Sequence, residues 1–181
     1  AMPKTIPLSD FYHQEVLRGL SEALKRLQFY FTQRDSRLVD ACMDELFPDE
    51  GNILVVSAGN DDWCKSISEV KEQFVTDWEY WGDVVFDLDS AVIDYQNDIG
   101  WIAVCGTVSK ASDTEISFRS EQNNNAGSDS ESPLISLLMQ ASHRLDGEPV
   151  HFSRTPVRLT AVLTKSTDRW LFRQMHFAVT L

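Results

Sequence analysis

Cysteine is scarce in this sequence: three in 181 residues, Cys42, Cys64 and Cys105. They lie far apart, are odd in number and show no Cys-x-x-Cys spacing, which argues against a disulfide scaffold and for a reducing, cytoplasmic setting. Cys42 and Cys105 sit in apolar contexts and read as ordinary buried thiols. Basic residues are also short, 16 Lys and Arg against 28 Asp and Glu, a formal charge of −12. Phosphate contacts need a basic face, so general nucleic-acid binding is excluded, and anionic membrane surfaces are disfavoured for the same reason. No stretch approaches the roughly 18 consecutive apolar residues of a membrane span, and the first residues carry no basic-then-apolar leader pattern. A phosphate-binding glycine loop, a nucleophile elbow and a dinucleotide fingerprint are all missing. His13, His143 and His151 are too scattered to form a metal centre, so neither metal nor cofactor is expected.

What the sequence does have is apolar patterning. At 43% hydrophobic it can build a sizeable core, and its length suits one domain, or one domain with an insertion. Ser9 is a good N-cap for a first helix, on which Val16, Leu20, Leu24, Leu27 and Phe31 recur at spacings of three and four. The stretch "RDSRL" ends that helix. Ser36 then caps a shorter one carrying Leu38, Val39, Cys42 and Leu46, closed by Pro48 and Gly51. "NILVVS" reads as a short strand and "GNDDW" as a loop. Ser66-Ile67-Ser68-Glu69 is a capping box that opens a third helix, with Ile67, Val70, Phe74 and Trp78 along one face.

Gly82 punctuates, and "VVFDLDSAVIDY" alternates as one half-buried strand: Phe86, Leu88 and Val92 point one way, Asp87 and Asp89 the other. Arg158 and Arg173 are the expected cross-strand partners of those aspartates. Asn97-Asp98 turns the chain into "GWIAVCGTVS". From Ser112 to Ser132 the composition is polar and of low complexity, and Ser132-Pro133 then starts a helix that runs to Gly147. The block at about 110–152 is therefore expected to be a helical insertion between two strands. The chain closes with a hairpin turning at Thr167-Asp168, on whose second strand Trp170, Phe172, Gln174 and His176 share one face by strict alternation.

Helices gathered at one end, followed by meandering strands, predict an α+β fold. A curved antiparallel sheet would form a cone-shaped barrel around the long N-terminal helix, with a pocket between sheet and helices.

Four stretches carry a family resemblance: the first helix with its "FTQRD" ending, "GNDDWCKSISEVKEQF", "YWGDVVFDLDSAVI" with "GWIAVCGTV", and "VRLTAVLTKSTDRWLFRQMHF". In this order they resemble the nuclear transport factor 2-like superfamily, and within it the SnoaL-like domain proteins. The resemblance implies a single domain over 1–181 and a homodimer. It leaves the activity open, because that superfamily holds cyclases, isomerases, dehydratases, epoxide hydrolases, binding proteins and association domains.

The residues themselves nominate a site. Trp78 and Trp101 would line the pocket wall, and Gln174 and His176 would sit near its mouth, His176 facing the concave side of the sheet. An outer row of Val85, Ala91 and Ile93 beside Asp87 and Asp89 would face the second protomer. The expected function is a dimeric domain binding a small hydrophobic molecule. One alternative is an acid–base enzyme of the cyclase, isomerase or dehydratase type acting on a cyclic or polyketide-like substrate, with His176 and Asp77 as catalytic candidates. A second is an oligomerising association module. A buried acid–base pair in the pocket would favour the enzyme, and a pocket filled by its own aromatic side chains would favour the module.

Overall fold

The computed structural model describes residues 8–57, 63–110 and 154–179, so the insertion expected at about 110–152 lies outside the described residues, Lys110 excepted. The first helix, α1, runs from Leu8 to Gln33, and all five residues of its expected stripe are buried. It stops where Arg34 takes a left-handed φ of 50°, its amide donating to Tyr30 O at 2.9 Å. The next cap is Asp35 and not Ser36. The Asp35 carboxylate accepts from the Arg37 amide at 3.0 Å and starts a 3-10 turn, Ser36–Leu38, that leads into α2, Val39–Leu46. A short pair follows, β1 (Leu54–Val56) and β2 (Trp63–Cys64), and then α3, Ile67–Tyr80. Both halves of the Ser66/Glu69 capping box are formed.

The strand expected from Val84 through Tyr95 is two strands. β3 (Trp81–Phe86) and β4 (Val92–Gln96) are separated by a 3-10 turn at Leu88–Ser90. The turn resets the alternation. Val92, expected inward with Phe86, is exposed, whereas Ala91 and Ile93, expected outward, pack against the core. Asp87 accepts from the Ser90 hydroxyl inside this turn, and Arg173 bonds elsewhere. Both strands pair with the long β5 (Ile99–Lys110) along the same edge: Phe86 lies opposite Gly106 and Val92 opposite Ala103. β6 (Thr155–Ser166) and β7 (Arg169–Val179) form the closing hairpin, turning at Thr167-Asp168 as expected.

The sheet order is β2-β1-β7-β6-β5-β3, with β4 also on β5. All pairings are antiparallel except β1 with β7. Among the described residues β2 and β3 are free edges, so the sheet curves over α1 without closing. α1 touches β3, β4, β5 and β7, which puts the hydrophobic core between helix and sheet. The approach is close: a Cβ on Gly19 would meet the Trp170 ring at 2.8 Å, and one on Gly100 would meet Leu20 at 2.5 Å. Among the described residues no helix is long and apolar enough to cross a membrane.

Candidate functional site

The space between sheet and helices is occupied by the chain's own aromatic rings. Phe31 packs on Phe74 at a centroid distance of 5.0 Å, on Trp81 at 5.7 Å and on Phe177 at 5.7 Å. Phe47 joins Phe74 to Phe172. Trp78 lies fully inside this cluster, against Tyr30, Phe31 and Phe74, so it is a core residue. Asp77, one residue before it, is only 2% exposed and accepts from Gln73 Nε2 at 2.8 Å. Trp81 Nε1 finds no acceptor among the described residues.

His176 lies on the other side of the sheet, where the expectation of an inward ring is corrected. A β-bulge sits between Val162 and Leu163 of β6: Val162 pairs with Gln174 and Leu163 with Phe172, leaving Arg173 as the extra residue. One extra residue inverts the parity of everything after it. Trp170 and Phe172 therefore point inward as expected, while Gln174 and His176 point outward and are exposed, and Met175 and Phe177 take the core positions.

The bulge gathers three of the four nominated binding residues on the outer face. Asp94, Trp101, Val162 and Gln174 form one cross-strand row, and Val92, Ala103, Thr160 and His176 the next. Trp101 is 40% exposed, Val85 42%, Ile99 51% and Val92 63%. Charge on these rows is limited to Asp94, with Arg158 one row further on beside Cys105. Cys105, expected to be buried, is exposed here. Sequence reasoning missed Val92, whose parity the 3-10 turn hides, and Ile99, which was legible as the odd-numbered neighbour of Trp101 on β5. The arrangement offers an apolar surface across β4, β5 and β6, with Asp83 and Asp87 flanking Val85 at its β3 edge. Asp77 and His176, the two acid–base candidates, lie on opposite sides of the sheet and do not converge.

One polar cluster joins the helices. Arg26 donates from Nη2 to Glu45 Oε2 at 2.9 Å and from Nε to Oε1, and the Tyr30 hydroxyl donates to Oε2 at 2.5 Å. The Arg26 guanidinium holds the Glu45 carboxyl below its ordinary range, and burial together with that carboxylate pushes Tyr30 up to about 12. Among the described residues no three His, Cys, Asp or Glu side chains are placed to hold a metal ion.

No protein-family model matches the sequence, and no curated protein matches it. Solved structures do. A candidate scytalone dehydratase from Novosphingobium aromaticivorans superposes with a TM-score of 0.62 at 8% identity, over 96% of this chain and 89% of that one. A candidate dehydratase of the nuclear transport factor 2-like family from Streptomyces avermitilis gives 0.60 at 10% identity, over 93% and 98%. A candidate calcium/calmodulin dependent protein kinase II association domain from Xanthomonas campestris gives 0.58 at 11% identity, over 90% and 86%. Likeness at this level of identity speaks to architecture alone: the chain has the nuclear transport factor 2-like fold.

Proposed function

We propose that this domain works by association, pairing with a second copy of itself through the outer face of the sheet. The observation that carries the reading is the division of apolar side chains. The interior is filled by Trp78, Trp81 and the surrounding phenylalanines, while Val85, Val92, Ile99 and Trp101 remain exposed together on the outside. Among the described residues the interior is packed with these rings, which supports the association module over the small-molecule binder and over the acid–base enzyme. Transfer of exposed apolar surface out of water supplies the driving force, at about 25 cal/mol per Å². The partner is taken as a like copy because the face carries both signs, Arg158 together with Asp94 and with the Asp83 and Asp87 that flank Val85, so a second copy can set arginine against aspartate across it. One solved structure of the same fold is described as an association domain, which agrees with this reading. A contact of this kind should bury at least about 1,000 Å² in total.

The exposed thiol of Cys105 is a built-in reporter, since it stands on β5 in the same outward row as Trp101 and Ala103. Its labelling rate with a maleimide should fall as protein concentration rises, and Trp101→Lys should abolish that concentration dependence. A Cys105 rate that stays constant from nanomolar to high micromolar protein would contradict the proposal.

A further inference from the structure

On the outward row of β7, up to and including the bulge residue, stand Arg169, Leu171 and Arg173. The loop that follows α2 folds over them, which is why Leu171 is buried although its row faces away from the core. Between loop and strand lies a cleft of about 330 Å³ lined by Pro48, Asp49, Glu50, Ser166 and the two arginines, among others. Arg173 is fixed by its own hydrogen bonds: Nε donates to Thr164 Oγ1 at 3.1 Å and Nη1 to Glu50 O at 2.9 Å. Gly51 holds φ 94° beside it, and a Cβ there would strike Arg173 Nη1 at 2.7 Å, so the loop is shaped around this guanidinium. Arg169 donates from Nη1 to Asp44 O at 3.2 Å.

Among the described residues neither arginine forms an ion pair with a carboxylate, although the charge of Arg169 adds to the lowering of the Glu45 pKa. Asp49 and Glu50 rim the cleft but form no ion pair with them among the described residues, and the oxygens of nearby Glu45 are taken by Arg26 and Tyr30. A guanidinium offers five N–H donors, and these bonds to neutral oxygens use two from Arg173 and one from Arg169. Two positively charged forks, held by neutral oxygens and lining one polar cleft, are the donor set that carboxylate and phosphate oxygens accept from.

We infer that this cleft binds a small oxyanion, the phosphoryl or carboxylate group of a compact metabolite, through Arg169 and Arg173. The surrounding acidic chain opposes an anion at long range, so binding depends on the short-range forks and weakens as salt screens them. The inference does not rest on the association reading.

Isothermal titration of the full chain with inorganic phosphate, and separately with benzoate, tests it. Saturable binding of either at low ionic strength is expected, and the anion that binds identifies the source: phosphoryl if phosphate alone, carboxylate if benzoate alone, and the shared oxyanion if both. Arg169→Gln should weaken it at least about 10-fold, since a charge-assisted hydrogen bond is lost. Arg169→Lys should fall between the two, and Lys25→Gln, on an exposed pair with Glu22, should bind like the wild type. Amide resonances of Glu50, Gly51 and Arg169–Arg173 should move during the titration. Absence of saturable binding of both anions up to about 10 mM, or binding that Arg169→Gln leaves unchanged, would overturn the inference. Arg169→Gln should leave the Cys105 labelling behaviour untouched and Trp101→Lys should leave anion binding untouched, so failure of either proposal is seen separately.

Discussion

Glu45 is a single carboxylate holding two helices together, because Arg26 and Tyr30 come from α1 and Glu45 from α2. Its lowered pKa has a sign that can be followed. Folding favours the ionised form, so the stabilisation is present above the ordinary carboxylate range and is lost as pH falls through the lower folded value. The phenol behaves in the opposite sense: its contribution is present below the ordinary tyrosine range and is lost as pH rises towards about 12. Glu45→Gln should lower stability at neutral pH by about 1–2 kcal/mol, a charged hydrogen-bond pair discounted for partial exposure. It should also flatten the acid limb of melting temperature against pH; an unchanged limb would remove Glu45 from this role. The thiols divide in the same local way. Burial holds Cys42 well above the ordinary thiol range, so it stays protonated and closed to reagent. Mass spectrometry of the native chain in dilute solution should show Cys105 labelled first and Cys42 only on unfolding.

At the scale of elements, β5 accepts two strands along one edge because Gly106 lets β3 come close. A Cβ there would meet the Val85 carbonyl oxygen at 2.5 Å, and backbone cannot move aside. At Gly100 the obstacle is the end of the flexible Leu20 side chain, also at 2.5 Å. Gly106→Ala should therefore cost about 2–3 kcal/mol and Gly100→Ala less, within the range of overpacking substitutions, and chemical denaturation of both variants checks the order. Ser66→Ala, which removes half of the α3 capping box, should cost about 1 kcal/mol. The helices were legible because their signals are local and periodic: the α1 stripe and the Ser66/Glu69 box both stand where the residues put them. The strands were legible as segments but not as faces. Alternation carries a face along a strand only until something adds or removes a step. The 3-10 turn at Leu88–Ser90 and the bulge at Arg173 do so with residues whose side chains give no warning. Strict alternation therefore puts Val92 and His176 on the wrong side of the sheet and Phe86 and Phe172 on the right one. The bulge likewise puts Gln174 and His176 on the outer face beside Trp101, apart from Trp78, which α3 holds in the core.

For the whole molecule, the fold supplies a sheet with two faces and a helix that can cover one of them. Among the described residues the face toward α1 is packed with aromatic rings, and the outer face keeps Trp101 and three aliphatic residues exposed. A monomer with that distribution leaves apolar area unburied that a second copy can bury. The mass of the chain in solution tests this pairing directly. Sedimentation equilibrium of the full chain across the micromolar range should give twice the chain mass, and Trp101→Lys, which places a charge in the middle of the face, should return the single-chain mass with its melting curve still cooperative. A wild-type chain that sediments as a monomer throughout that range, or a Trp101→Lys variant that still sediments at twice the chain mass, would contradict it.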